Sequence, residues 1–115
     1  MVFTNVGKSG LALAFAGSMT IPDVIGIGSG SGAVSASDTN LVAQTRVNAF
    51  TSRTISTQKE VTFLADFSAT QMSGLNLREF GVRISGGTLF NREGFAAINF
   101  DGSNEAQIEV TFECF

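Results

Sequence analysis

Ten residues close to the carboxyl terminus alternate strictly between apolar and polar side chains. The apolar members are Ala106, Ile108, Val110, Phe112 and Cys114. The polar members are Glu105, Gln107, Glu109, Thr111 and Glu113. Successive side chains of a β-strand point to opposite faces, whereas a helix would scatter both sets around its circumference. The segment is therefore predicted to form a strand with one buried face and one face in water.

The same period is interrupted further upstream. Leu77 is out of phase with Phe80 and Val82, so an extra residue has to be absorbed between them. A β-bulge accommodates one additional residue and re-aims the side chains that follow it. We predict a bulge at Arg78 or Glu79.

Glycine-containing turns divide the chain at regular intervals, with clear examples at Gly86-Gly87 and Asp101-Gly102. Strands are predicted near residues 24, 47, 54, 62, 77, 89, 97 and 108, which amounts to seven or eight strands. Eleven Phe, with no Trp or Tyr, provide a plain hydrophobic interior. A chain of 115 residues is too short for two independent cores. We predict a single all-β domain over residues 1–115, an antiparallel sandwich or jelly roll.

The amino-terminal third differs from the rest in charge. The first 37 residues carry two charged side chains, whereas the remaining 78 carry fifteen. Residues 1–23 are predicted to form an arm or a short helix, with Thr4 or Asn5 as its cap. Gly7 and Gly10 weaken such a helix, so it needs a docking surface on the main sheet or on a neighbouring subunit.

A glycine- and serine-rich loop is predicted over residues 28–40, after a short strand at residues 24–27. Connections in compact domains typically have about 4–6 residues, so this one is unusually long. It is expected to be either disordered or held by something outside the core, for which a partner chain is one candidate.

The composition removes most catalytic templates. The chain has no His, one Cys, and 7 Lys plus Arg against 10 Asp plus Glu. It therefore lacks the side chain that titrates near pH 7 and the Cys content of a zinc quartet or disulfide framework. Cys114 falls on the predicted buried face and is expected to be an inert thiol. We expect no enzyme activity, no cofactor and no metal.

Charge and hydropathy also limit the possible binding partners and the cellular compartment. The acidic balance argues against nucleic acid, whose phosphates bind clustered cations. No apolar run reaches the roughly 20 residues of a membrane-spanning helix. The apolar residues 11–16 are shorter than the export signal's apolar region of about 7–15 residues. With a single Cys, this predicts synthesis in the reducing cytoplasm and no membrane partner.

Three patterns that resemble known functional sites do not satisfy the requirements of those sites. Gly7-Lys8-Ser9 lacks the glycine that a phosphate loop has five positions earlier. The alternating glycines at positions 26, 28, 30 and 32 lack the third glycine of a dinucleotide fingerprint and the helix after it. Glu79 and Glu93 each adjoin an Arg in sequence, so exposed ion pairs are predicted instead of an acid–base couple.

Five segments in order resemble small virion proteins of tailed bacteriophages. They are Phe3-Thr4-Asn5-x-Gly7-Lys8, Ile25-Gly26-Ile27-Gly28-Ser29-Gly30, Ser35-x-Ser37-Asp38-Thr39-x-Leu41, Arg46, and Leu77-Arg78-Glu79-Phe80-Gly81-Val82. That group includes capsid decoration proteins and the attachment domains of tail-collar fibres. In it, a strand with a GxGxG turn precedes an Asp-x-x-Leu segment and an Arg, and a strand with Glu before an aromatic residue and Gly follows. The resemblance covers nearly the whole chain.

The resemblance implies a non-enzymatic structural module of a phage particle. Because the chain stops at its last strand, the expectation is a capsid decoration or cement protein that binds the outer capsid surface and bridges capsomers. The alternative is a tail, baseplate or fibre-attachment adaptor. A third reading, from another class, is a small-ligand binder or hydrolase.

The expected partners are further copies of the chain, in a trimer or another symmetric oligomer, and the major capsid protein or a tail protein. The expected location is the virion, on the capsid surface or the tail. The candidate contact residues lie mainly in the amino-terminal segment and the glycine-rich loop. They are Phe3, Thr4, Asn5, Lys8, Gly28, Ser29, Gly30, Ser31, Asp38 and Arg46.

Overall fold

The computed structural model describes residues 2–16, 21–56 and 60–113, which form eight strands and two helices. The strands are β1 (Val2–Phe3), β2 (Val24–Gly28), β3 (Gln44–Ala49), β4 (Ser52–Ser56), β5 (Glu60–Phe67), β6 (Asn76–Arg83), β7 (Asn91–Asn99) and β8 (Ala106–Glu113). Helix α1 (Asn5–Phe15) follows β1, and helix α2 (Ala69–Met72) follows β5. The strands pair antiparallel in two sheets, in the orders β1-β7-β6-β2-β3 and β4-β5-β8. The predicted all-β, sandwich-like fold with a short amino-terminal helix is confirmed.

The hydrophobic core lies between the two sheets. The larger sheet contributes Ile25, Ile27, Leu77 and Val82, the smaller sheet contributes Phe63, Ala65, Phe67, Ile108, Val110 and Phe112, and Phe90 joins them from just before β7. Ile108, Val110 and Phe112 are buried, whereas the alternating residues Gln107, Glu109 and Glu113 are exposed, as the pattern predicts. Cys114 lies outside the described residues.

The register between β6 and β7 breaks between Leu77 and Glu79. Leu77 pairs with Ile98 and Glu79 pairs with Gly94, so one residue of β6 faces three residues of β7. The predicted irregularity is confirmed at this place, although the surplus residues belong to β7. As a consequence, Leu77 faces the core and Glu79 faces the outer side of the larger sheet.

Of the two strands predicted near residues 89 and 97, the structure has only the second, β7. Leu89 forms only an isolated bridge with Arg83, and the continuous strand β7 begins at Asn91. The predicted turn at Gly86 is present, with a positive φ of 71° and a hydrogen bond of 2.9 Å from the Ile84 amide to the Thr88 carbonyl. The turn reverses the chain so tightly that a single bridging pair forms before β7.

Thr4 is the cap of helix α1. Its Oγ1 accepts a hydrogen bond from the Gly7 amide at 2.9 Å and donates one to the Leu89 carbonyl. The Thr4 amide donates to the Phe90 carbonyl at 2.9 Å, and the Thr4 side chain is fully buried. A Cβ on Gly7 would lie 2.6 Å from the Phe90 backbone, so this glycine permits close helix–strand packing. The marginal helix therefore docks on its own sheet.

Candidate functional site

A buried carboxylate lies beneath the connection between β2 and β3, residues 29–43, which we call the clamped loop. Glu79 of β6 has no exposed surface. Its Oε1 accepts hydrogen bonds from the Val42 amide at 2.8 Å and from Arg92 Nε at 3.0 Å. Its Oε2 accepts from the amides of Gly30 at 2.9 Å and Ala43 at 2.7 Å. One side chain therefore holds both ends of the loop.

Glycines make room for this carboxylate. Gly28 pairs directly with Glu79 between β2 and β6, and a Cβ on Gly28 would lie 2.7 Å from Glu79 Oε2. A Cβ on Gly30 would overlap the same oxygen. Backbone amides in such a glycine-rich turn form a concave anion site. Here the anion is the carboxylate of Glu79, so the glycine repeat has a structural role in the protein's own fold.

Arg92 of β7 extends the contact to the middle of the clamped loop. Its side chain is 1% exposed. Besides Glu79, it binds the Ala33 carbonyl at 3.2 Å and Asp38 Oδ2 at 3.3 Å through Nη1. Asp38 Oδ2 also accepts a hydrogen bond from the Ser35 amide at 2.9 Å, which closes a tight turn. The loop is thus fixed at its centre as well as at its ends.

Arg83 of β6 anchors the end of the loop that leads into β3. Its Nη1 donates to Asn40 Oδ1 and Gln44 Oε1, both at 2.6 Å, and its Nη2 donates to the Gly87 carbonyl at 2.8 Å. Burial lowers the pKa of Arg83 below its ordinary value. A guanidinium group is charged at neutral pH, so these contacts are charge-assisted hydrogen bonds.

Glu79 is ionised in the folded protein. Burial alone would raise the pKa of Glu79 above its ordinary value of 4.5. The hydrogen bonds from the amides of Ala43 and Val42, from Arg92 and from the Gly30 amide outweigh burial and hold the pKa below that value. Because these donors occupy both oxygens, the carboxylate has no free lone pair with which to take a proton from a substrate.

The prediction that Glu79 belongs to an exposed ion pair is wrong. Glu79 is buried, and its partner is Arg92 instead of the adjacent Arg78. The partner is set by the register of the neighbouring strand, which places Arg92 on the same face of the sheet as Glu79. The clamped loop is held by contacts outside the core, which was one of the two expectations, and these contacts come from its own chain.

The ten predicted contact residues fall into three groups. Thr4, Gly28 and Gly30 are buried in their own chain; Phe3, Ser29 and Asp38 are half-buried; Asn5, Lys8, Ser31 and Arg46 are exposed. The two predicted segments lie together, because the Asn5 amide donates to the Ala36 carbonyl at 2.7 Å. Arg46 is separate, on strand β3. Contacts with another molecule are therefore open mainly to the exposed group.

Glu79, Arg83 and Arg92 organise this region but were not among the predicted contact residues. The sequence signal that could have identified them is the alternation of residues along the strands. Glu79 and Arg83 share one face of β6, and the facing glycines of β2, Gly26 and Gly28, leave that face uncovered by side chains. Glycines on one strand beside alternating charged residues on the next strand indicate a groove on that face of the sheet, which another segment of the chain can fill.

Two depressions lie elsewhere on the surface of the described residues. One of about 450 Å³ lies beside Asp66, Glu105 and Gln107, and one of about 260 Å³ lies beside Arg46 and Gln71. Among residues 2–16, 21–56 and 60–113, no three His, Cys, Asp or Glu side chains are grouped to hold a metal ion. Neither helix in these ranges has the length and apolar character needed to span a membrane.

Comparisons with known proteins found no family model, no curated protein and no solved structure that matches this chain. The fold and the site therefore define its class. It is a small antiparallel β-sandwich whose long loop is bound to the outer face of the larger sheet by a buried ion pair.

Proposed function

We propose that the chain is a non-enzymatic structural protein of a tailed-bacteriophage particle, a capsid decoration protein that binds the outer shell and bridges capsomers. The supporting observation is the state of its buried charged groups. Glu79 and Arg92 are completely enclosed and bound to the chain's own backbone and to each other. Carboxylate and guanidinium groups often act in catalysis, but here both hold a loop in place. This favours a function based on surface contact.

The clamp also gives a physical reason for the ordered motifs that resemble phage virion proteins. The glycine-rich turn supplies Gly28 and Gly30, and the later Leu-Arg-Glu-Phe-Gly segment supplies Glu79. The Asp-x-x-Leu segment supplies Asp38, which binds Arg92. Motifs far apart in the chain thus meet in one structural unit. This supports a common scaffold with that group of proteins.

The outer side of the clamped loop is the surface that we assign to the capsid contact. Ser31, Ser37 and Thr39 are exposed, and Val42 is 63% exposed. These side chains are uncharged, and the backbone beneath them is already fixed. A fixed loop loses less conformational entropy on binding than a flexible one, so it is well suited to a protein–protein contact.

Co-sedimentation with empty phage shells that lack the protein tests this proposal. The wild-type protein should co-sediment at a defined stoichiometry, and Val42→Asp should reduce binding by about tenfold or more, equivalent to about 1.4 kcal/mol. Ala97→Asp is the matched control, because Ala97 is exposed on β7 and outside the clamped loop. Failure of the wild-type protein to bind any shell would contradict the proposal.

A tail, baseplate or fibre-attachment adaptor is the second candidate, favoured by the same resemblance to tail-collar attachment domains. Electron microscopy of particles carrying the tagged protein separates the two functions. Regularly spaced density on the shell supports decoration, and density restricted to the tail supports the adaptor. Turnover of small ester or phosphoester substrates would instead support the ligand-binder or hydrolase class.

A further inference from the structure

Both edges of the three-stranded sheet are open within the described ranges. Strand β5 is central and pairs with β4 on one side and with β8 on the other. The outer edges of β4 and β8 pair with no other strand of these ranges. Unpaired edges expose backbone donors and acceptors that a further strand can use.

Strand β4 exposes an apolar side chain on the face that elsewhere forms the core. Ile55 pairs with Val61, and Val61 pairs with Phe112, so the three residues lie on the same face of the sheet. Phe112 is 9% exposed, but Ile55 is 74% exposed. Among the described residues, Ile55 is therefore left largely uncovered by the larger sheet.

The open edge of β8 adjoins a second apolar surface. The ring of Phe112 contacts the ring of Phe3 edge-on, with centroids 5.4 Å apart. Phe3 also lines a depression of about 480 Å³ together with Lys8, Leu11 and Ala12. Leu11 is 51% exposed. Apolar surface therefore continues from the core side of β8 to helix α1, where it is uncovered.

The charges on the outer face of the three-stranded sheet determine which strand can pair with the edge of β8. Glu109 and Glu113 of β8 point to this face, and a second β8 would bring the same carboxylates alongside them. Like charges on neighbouring strands are destabilising. On the outer face of β4, Ser52 and Thr54 are uncharged, exposed hydroxyl side chains that can donate to carboxylates. β4 is therefore the better complement to β8.

We propose that β4 of one copy adds to the free edge of β8 in the next copy, so that the three-stranded sheets continue from copy to copy. Ile55 of the incoming strand then covers the apolar surface beside Phe3 and Leu11. The contact joins two different surfaces, so it closes into a ring when the rotation between copies permits. This contact deepens the proposed function, because it provides the surface through which the expected symmetric oligomer forms. It rests on the proposed function in that one respect.

Sedimentation velocity at about 1 to 100 μM protein tests the contact. The wild-type protein should form oligomers, and Ile55→Glu should weaken association by about tenfold or more because a charge would enter the apolar surface. The control is Ala49→Glu, which changes an exposed residue on β3, the open edge of the other sheet, and should leave association unchanged. Far-UV circular dichroism and thermal unfolding establish that each variant is folded.

A mixing experiment tests the head-to-tail geometry. Ile55→Glu blocks the donating surface and Leu11→Glu blocks the receiving surface, so each variant alone should be monomeric. Each still carries one intact surface, and an equimolar mixture should therefore form a 1:1 dimer. If both variants are monomeric and the mixture forms no dimer, the contact joins like surfaces and the proposal is overturned.

A monomeric wild-type protein over the whole concentration range, or an Ile55→Glu variant that associates normally, would also overturn it. These outcomes are distinct from failure of the proposed function, which is measured by shell binding. A monomer that binds shells would retain the decoration function and lose this contact. An oligomer that binds neither shell nor tail would retain the contact and lose the function.

Discussion

Glu79 and Arg92 form a buried ion pair between β6 and β7, with Arg92 Nε 3.0 Å from Glu79 Oε1. Glu79 pairs with Gly94 in the register, and Arg92 lies two residues earlier on the same face of β7. Removing two charges from water is costly, and only several good hydrogen bonds offset that cost. Here three backbone amides of the clamped loop complete the set around the carboxylate.

Removal of the carboxylate should destabilise the fold strongly. Glu79→Ala leaves Arg92 buried without its partner, and the expected loss is about 3–5 kcal/mol in the free energy of unfolding. Glu105→Ala, which removes an exposed carboxylate, should change stability by less than about 0.5 kcal/mol. Urea denaturation of both variants measures the difference. Equal stabilities would contradict a structural role for the ion pair.

Acid should weaken the folded state through the same group. The pKa of Glu79 lies below its ordinary value of 4.5 in the folded protein, so the unfolded chain binds this proton more readily. The stabilisation is therefore present above about pH 4.5 and is lost as the pH falls through the lower folded pKa. Denaturation of the wild type and Glu79→Gln from about pH 7 to about pH 3 checks this, because the stability difference should shrink in acid. A difference independent of pH would be inconsistent with it.

Gly30→Ala should loosen the clamped loop. A Cβ at this position would overlap Glu79 Oε2 and would lie 2.7 Å from the Ala43 amide nitrogen. We expect a loss of about 1–3 kcal/mol and faster hydrogen exchange at the amides of Val42 and Ala43. Ser31→Ala, at the exposed neighbouring position, is the control. Unchanged exchange at both amides would show that the carboxylate does not hold the loop.

Gly81→Val should destabilise the centre of the larger sheet. A Cβ on Gly81 would overlap the Asn91 carbonyl oxygen and lie 2.9 Å from Leu89 Cδ1. Backbone of an adjacent strand cannot move away as a side chain can, so a loss of at least about 2 kcal/mol is expected. In a domain of this size, each kcal/mol lowers Tm by about 4–8 °C. Ala97→Val, exposed on β7, should leave Tm nearly unchanged; an equal effect of both substitutions would refute the steric explanation.

Local pattern was sufficient to predict most of the strands. The alternation around Ile108 and Val110 predicts β8, because a period of two places apolar side chains on one face whatever they pack against. The phase change after Leu77 predicts the break in register, and Gly86 predicts the turn. The sequence pattern also predicts a strand at Leu89, where the structure has only an isolated bridge. The pattern does not show how many residue pairs form hydrogen bonds next to a tight turn.

The sequence by itself determined that the chain forms antiparallel strands with one apolar face and that a long glycine-rich loop interrupts them. Only the tertiary structure decided that Glu79 pairs with Arg92 and that the loop covers this pair. The adjacent Arg78 is nearer in sequence, whereas Arg92 is brought to Glu79 by the register of a neighbouring strand. Registry and burial are properties of the assembled sheet, and they determine whether a charge is solvated or enclosed.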